Sequence, residues 1–238
     1  MEIYKINLVQ SLKESEMKDE RNILNVFDKI KNEDLKIQID QIRNTNDKVE
    51  QNLLKKSLPA FTVSATFNGR RKKYNVKEYN SLIHLDYDNI ENPEQLKDEV
   101  SKLETTFCAF TSPRGEGLKV FIKTNGTLEN HEESFNKLKY LYDTCAGKGS
   151  DTTVKDVSRL CYASSDPYLY LNNESIEFDV IEYLKPEEIT QQYTPEEAYN
   201  YTSNIFTFSS GSRNVFTYTY ACNSNKLGIN ENESIDDR

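Results

Sequence analysis

One seven-residue run does most to restrict the fold: LIHLDYD, Leu82 to Asp88. It has the apolar density of a buried strand, yet it closes on two aspartates separated by one tyrosine. Side chains alternate across a strand, so residues i and i+2 point the same way. Asp86 and Asp88 therefore stand side by side and repel each other unless something positive lies between them. A chain with this run needs a sheet whose end can hold two carboxylates and their cation.

At 238 residues the chain holds one large domain, or one domain and part of another. Its 15 Tyr and 11 Phe are enough for a sizeable core. A formal net charge of -9 argues against a protein that coats nucleic acid by global charge. A local basic groove stays open, because phosphate contacts depend on where Lys and Arg sit. Cys108, Cys145, Cys161 and Cys222 form no CxxC pair, and His84 and His131 complete no zinc-ligand spacing. Scattered thiols and no signal peptide point to a reducing, cytoplasmic setting. No apolar run approaches the roughly 20 residues that span a bilayer, so no membrane partner is expected.

The opening EIYKINLVQ reads as a strand. Ile23, Val26, Phe27 and Ile30 then repeat at helical spacing, as do Leu35, Ile39, Ile42, Val49 and Leu53, predicting two helices packed by one face between residues 15 and 56. A strand follows and turns at Asn68-Gly69. Residues 51–77 hold no acid but carry Lys55, Lys56, Arg70, Arg71, Lys72, Lys73 and Lys77, either a solvated hairpin tip or a phosphate-facing one. After the aspartate strand, Asn92 and Pro93 open a helix buried through Leu96, Val100 and Leu103. FCAFTS and LKVFIK read as strands joined by the turn SPRGEG. A helix from about Glu132 to Ala146 buries Phe135, Leu138, Leu141, Tyr142 and Cys145. His84 is expected hydrogen-bonded in the sheet, and His131 on the surface or at a helix cap. These elements predict an α+β fold, a mainly antiparallel sheet flanked by helices, over residues 1–185 with its motif-bearing core at 57–180. Residues 186–210 read as a linker. Residues 211–238 read as a short helical segment and acidic tail, the end of the chain or the start of a second domain.

Three segments carry chemistry. Paired acids at a strand end suit Mg²⁺, which takes hard oxygen ligands from one or two carboxylates plus substrate phosphates. A third carboxylate usually completes such a site, and Asp151 is the candidate with Asp156 in reserve. Glycosyltransferases, phosphatases and plain strand ends show the same DxD. In SPRGEGLK, Gly115 and Gly117 allow close backbone approach, Ser112 and Arg114 add donors, and Lys119 projects from the following strand. The plain alternative is a Gly-rich hairpin turn. In DTTVKDVSRL, Arg159 enters an apolar stretch, either paired with an acid or clasping a triphosphate.

The order and spacing of these segments resemble the archaeo-eukaryotic primase (primase-polymerase) superfamily, most closely the VirE N-terminal type from replication proteins of bacterial mobile elements. LIHLDYD matches its first motif, SPRGEGLK its second and SDTTVKDVSRL its third, across roughly residues 55–180. The resemblance implies a nucleotidyltransferase in which Asp86, Asp88 and Asp151 hold two Mg²⁺ or Mn²⁺ ions. Ser112, Arg114, Gly115, Gly117, Lys119 and Arg159 would bind a nucleoside triphosphate, and Arg70, Arg71, Lys72 and Lys73 would track a single-stranded DNA template. A replicative helicase is an implied partner. Lys119 stands where many relatives carry His, and a lysine binds phosphate as a point charge but shuttles protons less readily. Two other readings use the same residues: a module that only grips single-stranded nucleic acid, and another DxD metal enzyme such as a nuclease.

Overall fold

The computed structural model describes residues 4–10, 16–180, 194–205 and Tyr220. Cys222 and the segment expected to be helical after residue 210, apart from Tyr220, lie outside the described residues. The chain runs β1 (Lys5–Val9), β2 (Glu16–Met17), β3 (Asp19–Asn22), α1 (Ile23–Lys31), α2 (Lys36–Asn44) and α3 (Lys48–Lys56). It continues through β4 (Ala60–Thr62), β5 (Ala65–Phe67), β6 (Gly69–Arg70), β7 (Val76–Tyr79), β8 (Leu82–Asp88), α4 (Pro93–Val100), β9 (Thr106–Thr111) and β10 (Gly117–Lys123). Last come α5 (His131–Ala146), β11 (Leu160–Tyr162), β12 (Tyr170–Leu171) and α6 (Pro195–Ile205).

The fold is α+β, and the strands pair antiparallel, as the sequence pattern predicts. Among the described residues there are, however, two four-stranded sheets rather than one, with two further two-stranded pairs, β2-β6 and β5-β7. The first has the order β11-β4-β1-β3 and the second β12-β9-β10-β8. Alternation assigns the two faces of the second sheet. Ile83, Leu85 and Tyr87 of β8 and Leu118, Val120 and Ile122 of β10 pack on α4 and α5 through Leu96, Val100, Phe135, Leu138 and Tyr142. The opposite face sends Leu82 and Phe121 into a core shared with the first sheet and α1, including Ile6, Phe27, Phe61 and Cys161. Asp86, Asp88 and Lys119 fall on this second face, at the end of β8 and β10 next to the turn that joins β9 to β10.

Several local expectations are corrected. The helix expected across Leu35 to Leu53 breaks at Thr45–Asp47, where the Asp47 carboxylate accepts from Val49 N and caps α3. The break lets α3 expose Val49 and Leu53 instead of burying them. Residues 16–22 form β2 and β3 rather than helix. Within the expected linker, residues 195–205 are helical: Thr194 and Glu197 cap each other's backbone amides.

Candidate active site

β8 and β10 form the floor. Their register sets Lys119 opposite Asp86 and Gly117 opposite Asp88. Cross-strand neighbours share a face, so Lys119 meets Asp86 directly, and its ammonium donates to Asp86 Oδ2. Both side chains are largely buried, 5% and 13% exposed. Burial pushes the Lys119 pKa down, but Asp86, Cys161 and Asp88 together more than offset it and the ammonium ends above its ordinary range. Asp86 Oδ1 is buried and has no hydrogen-bond partner among the described residues. Asp88, two residues along the same face, is exposed. The cation demanded by the aspartate pair is thus supplied in part by the chain itself.

The turn between β9 and β10 forms one wall. Gly115 N donates to Ser112 O at 2.9 Å, and Gly115 holds φ +79°, a left-handed conformation that favours glycine. A Cβ at Gly117 would stand 2.4 Å from Tyr87 O and 3.0 Å from Ser112 Oγ, so the approach of β10 to β8 depends on this residue having none. Arg43 of α2 donates to Ser112 O at 3.3 Å and Ser165 O at 3.1 Å. Asn52 of α3 accepts from Arg114. Helices that precede the motifs therefore brace the turn.

The third segment arrives beside β8. Asp151 N donates to Asp86 O at 2.8 Å, fixing this loop against the aspartate strand. The Asp151 carboxylate faces its own turn, accepting from Thr153 N at 2.8 Å and Thr153 Oγ1 at 2.6 Å. Burial works to raise its pKa, but the Thr153 hydrogen bonds and the charges of Arg159 and Lys119 hold it below the usual carboxylate range. Asp156 caps Ser158 N in the same way at 2.8 Å. Arg159 donates to Thr153 Oγ1 at 3.1 Å and leads into β11, so the third motif runs from the end of β8 into the first sheet.

Of the basic loop, Arg71 donates to Ser158 O and feels Asp156 and Arg159, which ties it to the third segment. Arg70 lies in β6, while Lys72 and Lys73 lead into a short 3₁₀ turn at Lys73–Asn75. Lys55 of α3 is the main residue that sequence reasoning left out of the site. Its ammonium lies 5.3 Å from the Tyr162 ring centroid. Burial lowers its pKa, as do Lys119 and Arg114, while Asp86 and Asp88 act the other way. All four groups are therefore close. The acid-free run around Lys55 was visible in sequence, but which of its cations turned inward was not.

Both histidines are buried. His84 is buried and stacks on Phe121 at 5.9 Å, and burial, followed by the nearby Lys119 charge, lowers its pKa to about 3. His131 is not at the surface: it is buried at the start of α5 with Nδ1 2.9 Å from Tyr79 Oη. Cys161 is buried beneath the cleft, its thiol pushed up to about 12 chiefly by that burial.

Among the described residues, no three His, Cys, Asp or Glu side chains converge closely enough to hold a metal ion. The donor set fits a single hard cation better than two. Asp86 offers a buried orphan oxygen and Asp88 an exposed carboxylate on the same face. Both oxygens of Asp151, the expected third ligand, are engaged by Thr153.

The protein-family model described as "BT4734-like, N-terminal domain" matches residues 53–171. This chain belongs to that family. The matched segment runs from the second half of α3 to β12 and includes every cleft residue except the bracing Arg43 and Asn52. No curated protein and no solved structure matches the chain. Among the described residues, no helix is long and apolar enough to cross a membrane.

Proposed function

We propose that the cleft binds a nucleoside triphosphate against a single-stranded DNA template and transfers its nucleotidyl group to a 3′-hydroxyl with release of pyrophosphate, the primase-polymerase chemistry that the motif order resembles. The observation that carries this reading is the register of β8 against β10. It sets Asp86 and Asp88 on one face with Lys119, and Lys55, Arg114 and Arg159 reach that face from three other segments. Adjacent carboxylates ringed by cations suit a ligand that is itself a polyanion carrying a divalent cation.

Asp86 and Asp88 would hold Mg²⁺ or Mn²⁺. When bound, such an ion supplies charge stabilisation to the reacting phosphate and lowers the pKa of the attacking hydroxyl. Lys119, Lys55 and Arg114 place the triphosphate oxygens, and Ser112 shapes the turn beneath them. Arg159 supports the far side. Asp151 acts as a positioning residue, its amide fixing the end of β8. Tyr162, stacked under Lys55, offers a ring face to a base or ribose. Arg70, Lys72 and Lys73 would follow the template, with Arg71 fastening their loop to the third segment. Service to a mobile element and a helicase partner rest on the resemblance alone, and a cytoplasmic location on the scattered thiols.

A second reading is favoured by two details: Lys119 already neutralises Asp86, and Thr153 occupies Asp151. On that reading the cleft only grips single-stranded nucleic acid. Incorporation of labelled nucleotides on a single-stranded template separates the two, run with Mg²⁺ or Mn²⁺ and with or without a primer. The expected result is incorporation that disappears in the Asp86→Ala/Asp88→Ala variant. No incorporation, with template binding equal in both proteins, leaves the binding module. Template hydrolysis in place of extension identifies a nuclease.

A further inference from the structure

Lys119 is almost fully buried, and Asp86 is its ion-pair partner among the described residues. A single carboxylate barely offsets the desolvation of a buried ammonium, so Lys119 cannot give up Asp86 without another anion to take its place. Asp86 in turn leaves Oδ1 buried and, among the described residues, unbonded. A divalent cation at Asp86 would sit beside the ammonium, and two cations would share one carboxylate. A triphosphate removes the conflict by giving Lys119 other oxygens. A neutral imidazole at this register position would create no such conflict.

We propose that Lys119 is a resident counter-ion that closes Asp86 to divalent metal until a polyphosphate draws the ammonium away. This rests on the reading that the cleft handles nucleoside triphosphates with a metal. Metal and nucleotide then bind with positive coupling, because each relieves the other of the pair they compete to break. The free protein keeps its acidic floor neutralised and does not load with metal alone.

The test has two arms, neither of which measures catalysis. In the first, Mn²⁺ binding without nucleotide is followed from the electron paramagnetic resonance signal of the free ion. Lys119→Met and Lys119→Gln should bind Mn²⁺ at least about tenfold more tightly than wild type, and adding Asp86→Asn should abolish the gain. Circular dichroism establishes that each variant is folded, and the glutamine variant covers failure of the methionine one. In the second arm, ATP binding is measured in EDTA. Asp86→Asn frees the ammonium and should bind metal-free ATP several-fold more tightly than wild type.

Folded Lys119 variants that bind Mn²⁺ no more tightly than wild type overturn the proposal, as does an Asp86→Asn protein with no gain for ATP. Tight Mn²⁺ binding by wild type that requires Asp86 also overturns it, yet leaves the nucleotidyltransferase reading standing. That reading fails separately, through absent incorporation.

Discussion

At the scale of single residues, the most demanding groups are buried charges outside the cleft. Lys97 and Asp166 are 4% and 3% exposed and meet at 2.8 Å, and Asp166 also accepts from Thr111 N and Tyr168 N. Lys97→Met should cost about 3–5 kcal/mol in urea unfolding, because it strands a buried carboxylate. A second prediction concerns pH. His131 faces Tyr79, Lys73, Asp156 and Glu132, and burial, followed by Lys73, depresses its pKa to about 4 from 6.5. Between those values the unfolded chain binds a proton that the folded chain refuses, so stability rises with pH. The His131 contribution is complete above about pH 6.5 and lost as pH falls toward 4. Tm should drop across that window, by the equivalent of about 3 kcal/mol for this residue, and His131→Gln should flatten the slope. Neither role was legible in sequence. Lys97 lies among charged helix positions and His131 at a helix start, and only packing against distant segments buries them.

At the scale of elements, what could be read was what carries a long period. The seven-residue strands β8 and β10 and the sixteen-residue α5 declare themselves by alternation or by a 3.6-residue stripe. The face shared by Gly117, Lys119 and Phe121 follows from the pleat alone. Strands of two to four residues such as β2 and β3 have no period to detect and exist because a partner strand is present. Thus Asp86 and Lys119 could each be placed on a face, while their pairing depended on a register set by the Ser112–Gly117 turn. That turn is open to test. Gly117→Ala places a Cβ against the Tyr87 carbonyl and should destabilise the protein by about 1–3 kcal/mol, while spreading Asp86 from Lys119. Gly115→Ala lies in the same turn and has the flexible Arg43 side chain as its nearest neighbour, at 3.4 Å, so its main cost should be the left-handed backbone, about 1–2 kcal/mol. Chemical denaturation of both variants distinguishes steric crowding from backbone strain.

At the scale of the molecule, a chain of net charge -9 concentrates cations at one seam. Single-stranded DNA binding should weaken steeply with salt despite the acidic total. Arg70→Ala and Lys72→Ala should each shallow the log–log salt slope by roughly 0.7 for every phosphate the wild-type side chain neutralises. Unchanged slopes would show that this loop does not touch the template. Another consequence concerns where the family segment starts. β1 lies between β4 and β3 in the first sheet, and Tyr4, Ile6, Ile23 and Phe27 fill the core beneath β10. The segment that the family model matches, from residue 53, is therefore only part of the unit that folds. A protein begun at residue 53 would leave β4 with a bare edge and its apolar face wet, and it should aggregate on expression. Supplying residues 1–52 as a separate polypeptide should rescue it, the two pieces reassembling as a non-covalent complex.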